Sequence, residues 1–330
     1  MNLLLRCLSM LFLLAWMVLG TFRSSGLDYV TYLKEFIDPV NNLTSYEVGY
    51  VALMSAVRPL GGFWLVLLIA NTTFFVAHLR VTARIVSWPQ AAVFMFYLSY
   101  VGLFLIYGSP RRLIAFALIS HSLFVLAFQR EKFRAHPWRH AVITGVAASF
   151  HVSALVFVPV LVAYTYGLSM FSSARRILLI VGAMAVVGGA LYAGGAIDYI
   201  DTKIGYYLFY AAAEQEYLDE VPSVTSGLIK RFLAISLIWY GMRQAPGPRR
   251  PLLDLCLIEA FLYGALGSLS PVLAVVSSYF SVAYLIPALR FRRANEALSL
   301  RGLMFMTAAA LYFVPTALGL IRLFGHEYSL

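Results

Sequence analysis

Residues 137–170 read PWRHAVITGVAASFHVSALVFVPVLVAYTYGLSM, and from 140 to 170 they form an apolar run with His151 near its middle. A membrane-spanning helix takes about 20 apolar residues. The run is therefore long for one crossing and too short for two crossings and a turn. Charge decides how it lies. The segment before it, QREKFRAHPWRH (129–140), and the segment after it, SSARR (172–176), are both basic. Short basic loops stay in the cytoplasm, so the chain must go up and come back between them. A helix from about Pro137 to Phe150 would rise roughly 21 Å. That predicts a bent or re-entrant pair over 137–170 with His151 at its top. Non-helical backbone at that depth survives only where protein or a water-filled cavity surrounds it, so His151 should face a vestibule and not lipid.

The rest of the chain puts this run in a membrane. It has 330 residues, 61% hydrophobic and only 12% charged, with a mean hydropathy of +0.81, whereas soluble domains carry about a quarter charged residues. Apolar runs at about 3–22, 63–79, 90–107, 112–129, 177–195, 227–242, 252–268, 272–289 and 302–324 have the length of spans. No run resembles an isolated strand, and no repeat or soluble domain stands out. The expected fold is all-α, a polytopic transmembrane helical bundle of about 10–11 membrane-embedded helices, and one integral membrane domain over 1–330. The first run is read as an uncleaved span and not a signal peptide.

The net charge of +10 would suggest nucleic acid in a soluble protein. Here the basic residues gather around Arg80/Arg84, 130–139, 243–250 and 290–301, as cytoplasmic loops require, and no nucleic-acid partner is expected. Segments 23–62 and 196–226 carry most of the acids and are expected outside. The multi-pass chain then starts in the cytoplasm and ends on the far side. Cys7 and Cys256 sit in apolar runs and offer neither a disulfide framework nor a metal set. Asn42-Leu43-Thr44 is a glycosylation sequon by spelling alone.

Several chemistry-bearing residues share the outer level with His151. YGSPRRLIAFAL (107–118) places Arg111 and Arg112 at the opening of a span, against the positive-inside bias. Either they snorkel to lipid phosphates, or they bind an anionic group; a guanidinium suits bidentate contact with phosphate. GLDYVTYLKEF (26–36) brings Asp28, Tyr29 and Tyr32. SYEVGYVALMSAVRPLGG (45–62) reads as an amphipathic surface helix with Glu47 at its start. DTKIGYYLFYAAAEQEYLDE (201–220) holds Lys203, Tyr206, Tyr207 and Glu214, either an interfacial aromatic belt or a sugar platform. Lys230 and Arg231 lie one turn into the next span. Arg231 is a further phosphate candidate, or a structural partner of Glu259. Walker A, GxGxxG on a strand, HExxH, Cys/His metal sets and D-x-D are all missing from the sequence. No metal or cofactor is expected, and an activated substrate outside the cell would have to be lipid-borne.

These residues together resemble a known family. PRRLIAFAL is similar to the R-Q-x-x-A-x-x-L opening of a span in the EpsG-like and Wzy-type polysaccharide polymerases. SFHVSALVFVP is similar to their F-H-x-S-A-L segment. DYVTYLKEF and YEVGYVAL resemble their D-x-x-x-Y and E-x-G-[FY] elements. Order and spacing agree over roughly 1–165. Two departures stand out: Arg112 replaces a usual glutamine, and Ser277 or Ser278 stands where an arginine is expected before Tyr279, which shifts phosphate binding onto Arg111, Arg112 and Arg231.

The resemblance implies a bacterial inner-membrane polymerase with its active site facing the periplasm and its C-terminus on that side. It would join repeat units carried on undecaprenyl diphosphate, which supplies donor and acceptor; membrane lipid, a flippase and a chain-length regulator would be its partners. By position, Arg111, His151, Asp28 and Glu47 match the family's residues. The diphosphate set is then Arg111, Arg112 and Arg231. The catalytic set is His151, Asp28 and Glu47, and Tyr29, Lys203, Tyr206, Tyr207, Glu214 and Ser153 are substrate candidates. Histidine ordinarily titrates near 6.5. His151 could take the acceptor's proton, donate to phosphate with Asp28, Glu47 or Glu214 as base, or merely cap the helix break. A membrane acyltransferase acting on surface polysaccharide, a lipid-linked sugar flippase and an O-antigen ligase are the rival readings.

Overall fold

A computed structural model describes residues 2–26, 28–38, 46–106, 108–166, 224–243, 250–267 and 275–327. No strand occurs among the described residues. In chain order the helices are α1 (Asn2–Thr21), α2 (Tyr29–Ile37), α3 (Val48–Val57), α4 (Trp64–Thr82), α5 (Trp88–Val101), α6 (Pro110–Phe128), α7 (Arg130–Ala135), α8 (Pro137–Phe150) and α9 (Val158–Thr165). After the undescribed stretch follow α10 (Val224–Arg243), α11 (Arg250–Gly267), α12 (Val282–Leu285), α13 (Ala294–Ala297) and α14 (Leu300–Glu327). α1, α4, α6 and a window of α14 are long and apolar enough to cross a membrane. Leu3, Leu4, Leu11 and Leu19 on α1 point outward, as bilayer contact requires.

Residues 137–166 fold back as the charge pattern demands. Pro137 opens α8, where its fixed φ suits the first helical turn. The helix stops at His151, whose backbone is extended (φ −155°, ψ 109°). A 3-10 segment, Val152–Phe157, and α9 carry the chain away. α8 rises about 21 Å, and the two return segments together span about 24 Å, so the legs match. Their far ends meet: Arg134 Nε, on α7, donates to the Tyr164 carbonyl at 3.4 Å. His151 is therefore the tip of a re-entrant pair.

α8 packs on α6, α6 on α4 and α4 on α1; α5 joins α1 to α14, which packs on α10, and α10 on α11. α2 and α3 close one end of the bundle over a small core of their own, built from Tyr32, Phe36, Tyr50, Met54 and Phe63.

Two spans differ from expectation. The 90–107 helix ends at Val101 and continues as a π-helical turn, Gly102–Ile106. The 272–289 run is not one helix where it is described: 3-10 segments at Val275–Phe280 and Ala288–Arg290 flank the single turn of α12. Pro287, which lacks an N–H and clashes with the preceding turn, blocks helix continuation. Irregular backbone at membrane depth must be enclosed by protein, and Tyr279 to Leu289 are buried throughout. The run 177–195 and segment 196–223 lie outside the described residues.

Candidate active site at the helix break

The site grows from the start of α6. Ser109 caps the helix, its Oγ accepting from the Arg112 N–H at 3.4 Å, and Pro110 occupies the first turn. Arg23 holds the preceding loop in place by donating to the Gly108 carbonyl at 2.8 Å. Arg111 and Arg112 thus stand in the first turn of a helix whose N-terminal dipole is already positive. Two cations there repel the dipole and each other, so the arrangement calls for anions.

Glu47 supplies one. Its Oε2 accepts from Arg111 Nη1 at 2.5 Å, with both side chains about nine-tenths buried. Arg111 Nε donates to Tyr32 Oη at 2.8 Å, and Tyr32 pairs with Ser109 Oγ at 2.7 Å. Burial raises the Tyr32 pKa even with Arg111 beside it, so the phenol stays protonated, and either hydroxyl can donate in the Tyr32–Ser109 pair. The rings of Tyr32, Tyr46 and Tyr50 pack edge to face or tilted around this point, and Arg111 lies 4.7 Å from the Tyr46 ring centroid.

The second oxygen of Glu47 reaches the helix break. Oε1 accepts from the Val152 N–H at 3.3 Å, one of the backbone donors left open at the start of the 3-10 segment that follows α8. One carboxylate therefore ties the first turn of α6 to the tip of the re-entrant pair. At that tip His151 Nδ1 lies 2.6 Å from Ser153 Oγ, and Ser153 donates to Tyr279 Oη at 3.3 Å. Ser153 has one proton to give. With that proton on Tyr279, Nδ1–H of a neutral His151 must donate to Ser153, which leaves the imidazole lone pair on Nε2.

Gly49 explains how Glu47 gets there. A Cβ at Gly49 would sit 2.8 Å from the Ser149 carbonyl oxygen and 2.4 Å from its Oγ. Only glycine lets α3 cross the end of α8 this closely, which is the reason for a glycine two residues after the glutamate. Gly49→Ala should push α3 off α8, lowering the melting temperature by an overpacking cost of about 1–3 kcal/mol. It should lower activity more than stability, because Glu47 moves away from both partners.

Arg112 is placed differently from its neighbour. Its Nε is buried and accepted by no oxygen among the described residues. Its charge is felt by both Tyr279 and Tyr32, and no carboxylate among the described residues forms an ion pair with it.

Of the residues singled out from sequence, Arg111, Arg112, Glu47, His151 and Ser153 come together here. Asp28 is at the head of α2, its carbonyl accepting from Tyr32 N at 3.1 Å, and Tyr29 packs edge-on against Phe63. Lys203, Tyr206, Tyr207 and Glu214 lie outside the described residues. Arg231 belongs to a second buried network. Its Nε and Nη2 bind Glu259 at 2.8–3.0 Å and its Nη1 donates to the Gly227 carbonyl at 3.0 Å. Lys230 is hydrogen-bonded to Thr316 and partly buried. The 3-10 segment Val275–Phe280 joins the networks: Ser277 donates to Glu259 at 3.1 Å while Tyr279 meets Ser153.

Tyr32 and Tyr279 are the residues that the sequence left unassigned. Tyr32 had a signal, since it follows Asp28 by one helical turn in D-x-x-x-Y. Tyr279 had none: the missing arginine before it argued against it, yet its partner Ser153 is 126 positions away. The serine at 277 serves Glu259 instead.

The fold and the site define a polytopic helical membrane protein with a buried arginine–carboxylate clamp at a helix break near one end. A sequence profile of the EpsG family matches residues 5–319, and the chain belongs to that family. Membership points to polysaccharide biosynthesis and to a glycosyltransferase-like polymerase. No curated protein and no solved structure matches the chain.

Proposed function

We propose that the protein joins oligosaccharide repeat units carried on undecaprenyl diphosphate, at the periplasmic face of the bacterial inner membrane. The observation that carries this reading is convergence. Tyr32, Glu47, Arg111 and His151–Ser153 come from four separate helices or their ends and are bound into one buried site by direct hydrogen bonds.

In this reading the growing chain on its lipid diphosphate is the donor and a sugar hydroxyl of the next lipid-linked unit is the acceptor. The hydroxyl oxygen bonds to the anomeric carbon as the bond from that carbon to the diphosphate oxygen breaks. The hydroxyl proton passes to His151 Nε2, and the lipid diphosphate leaves as an anion. Glu47 already accepts at both oxygens, so its role is to hold Arg111 and the break, while His151 is the base. Arg111 and Arg112, with the N-terminus of α6, stabilise the charge that grows on the diphosphate, an effect that is large in a water-poor site.

Among the described residues Arg112 has no carboxylate partner to orphan, so Arg112→Gln should leave the protein in the membrane at normal level. Loss of one charge-assisted contact should weaken donor use about tenfold to a hundredfold, read as the donor concentration needed for half-maximal polymerisation in proteoliposomes.

The function is tested by polysaccharide chain length on gels from cells lacking the gene, complemented with wild type, His151→Ala or His151→Gln at matched protein levels. The deletion should leave single repeat units on lipid. Neither variant should restore long chains, since general-base loss costs about 10²–10⁴-fold. Unchanged chain length with altered acylation would favour the acyltransferase reading, and unchanged length with failed export the flippase.

A further inference from the structure

The opposite end of α6 holds a feature that the polymerase reading does not use. A cavity of about 420 Å³ opens between the start of α1 and the ends of α4 and α6. Arg6, Arg80, Arg84, Arg292 and His121 line it, and no carboxylate does among the described residues. Charge preference for the cytoplasm accounts for arginines in these loops. It does not account for four of them, from three separate stretches of chain, meeting on one concave surface.

The groups are set in place and are not loosely solvated. Arg84 stacks on Phe128, its guanidinium carbon 3.7 Å from the ring centroid. Arg6 Nε donates to the Ile85 carbonyl at 3.2 Å. Arg84 is half-buried, and burial followed by the nearby Arg292 charge lowers its pKa, as expected where cations face one another without a counter-charge. The walls between the charges are apolar and aromatic, with Phe124, Val125 and Phe128 among them.

The level of the cavity selects the ligand. It lies where the apolar stretches Trp64–Thr82 and Pro110–Phe128 run out, the depth at which hydrocarbon gives way to headgroups. The α6 residues that line the cavity, His121 to Phe128, follow Arg111 by 10–17 positions, so the two sites are separated by about 15–26 Å along the helix. An inorganic anion would match the charges but leave the aromatic wall unused; a phospholipid offers phosphate to the arginines and acyl chain to the wall. Basic pockets between membrane helices bind anionic headgroups in this manner.

We infer that this cavity is a binding site for the phosphate headgroup of an anionic phospholipid, distinct from the site at the helix break.

The test uses full-length protein, delipidated in neutral detergent, with its melting temperature followed on adding cardiolipin, phosphatidylcholine or inorganic phosphate. Cardiolipin should raise the melting temperature by about 5 °C at saturating concentration, phosphatidylcholine should not, and native mass spectrometry should show retained cardiolipin. Each arginine removed should weaken cardiolipin binding about fivefold, so Arg84→Gln with Arg292→Gln should flatten the response. Arg292→Gln alone alters an exposed residue and supplies a variant that must fold. Arg293→Gln removes the same charge from a side chain 79% exposed and outside the cavity, and should behave as wild type. Equal stabilisation by phosphatidylcholine, or an undiminished cardiolipin response in both cavity variants, overturns the inference. A full response to phosphate without lipid also overturns it and assigns the cavity to a soluble phosphate.

Discussion

Arg111→Ala is expected to abolish polymer and to leave single repeat units on the lipid carrier. Two losses add. The diphosphate loses a positioned guanidinium, and Glu47 is left buried with an unpaired charge, a break that costs about 3–5 kcal/mol in buried ion pairs. Glu47 also holds the Val152 N–H, so the tip bearing His151 loosens as well. Alanine alone cannot separate these effects, but lysine can. Arg111→Lys keeps the charge beside Glu47 and gives up the fork that reaches Tyr32 and Glu47 together. Membrane protein level should stay near wild type while polymer formation falls about 100-fold, the scale of one preorganised donor to a developing anion. Chain length on gels and immunoblots of the membrane fraction read the two quantities separately. Wild-type polymer from the lysine variant would sink a role for the planar fork and reduce Arg111 to a counter-ion of Glu47.

The re-entrant pair was legible because three local signals agreed: Pro137 at a helix start, a run of the wrong length, and basic segments on both sides. Arg111 was legible because two arginines at that place break a charge rule. What stayed hidden was assignment between neighbours. Sequence gave Arg111 and Arg112 the same role, whereas the structure gives Glu47 to the first and, among the described residues, no carboxylate to the second; a helix turns about 100° per residue, so adjacent side chains face different surroundings. The broken 275–290 stretch was hidden for another reason. Its composition is that of a span, and only its enclosure by the surrounding helices makes irregular backbone tolerable there. Glu259 was visible as a partner for Arg231. The three hydroxyls that share its carboxylate come from the 275–290 stretch and α14, and no spacing in the chain announces that convergence.

That convergence makes Glu259→Ala the most damaging single change to the fold. Glu259 is fully buried and accepts from Arg231 Nε and Nη2, from Ser277 at 3.1 Å, from Tyr284 at 3.1 Å and from Tyr312 at 2.8 Å. The Arg231 guanidinium also lies 3.4 Å from the Tyr263 ring centroid, and its side chain is only 7% exposed, so water can solvate it little. Alanine would strand that cation, at about 3–5 kcal/mol, and leave Ser277 and Tyr312 without the acceptor they use, at about 1–3 kcal/mol each, while Tyr284 keeps the Cys256 carbonyl at 3.3 Å. The sum rivals the 5–15 kcal/mol of total stability typical of a folded protein, roughly estimated. Glu259→Ala should therefore fail to accumulate in the membrane, as read by immunoblot and by fluorescence-detected size exclusion. Arg231→Met with Glu259→Gln removes the ion pair while keeping an acceptor for the hydroxyls, and should restore a folded protein. The rescued variant then decides what the network does. Normal chain length would make Arg231 and Glu259 a scaffold that holds the 275–280 segment, and through Tyr279 the histidine tip, in place. Folded protein that makes no polymer would return Arg231 to the diphosphate.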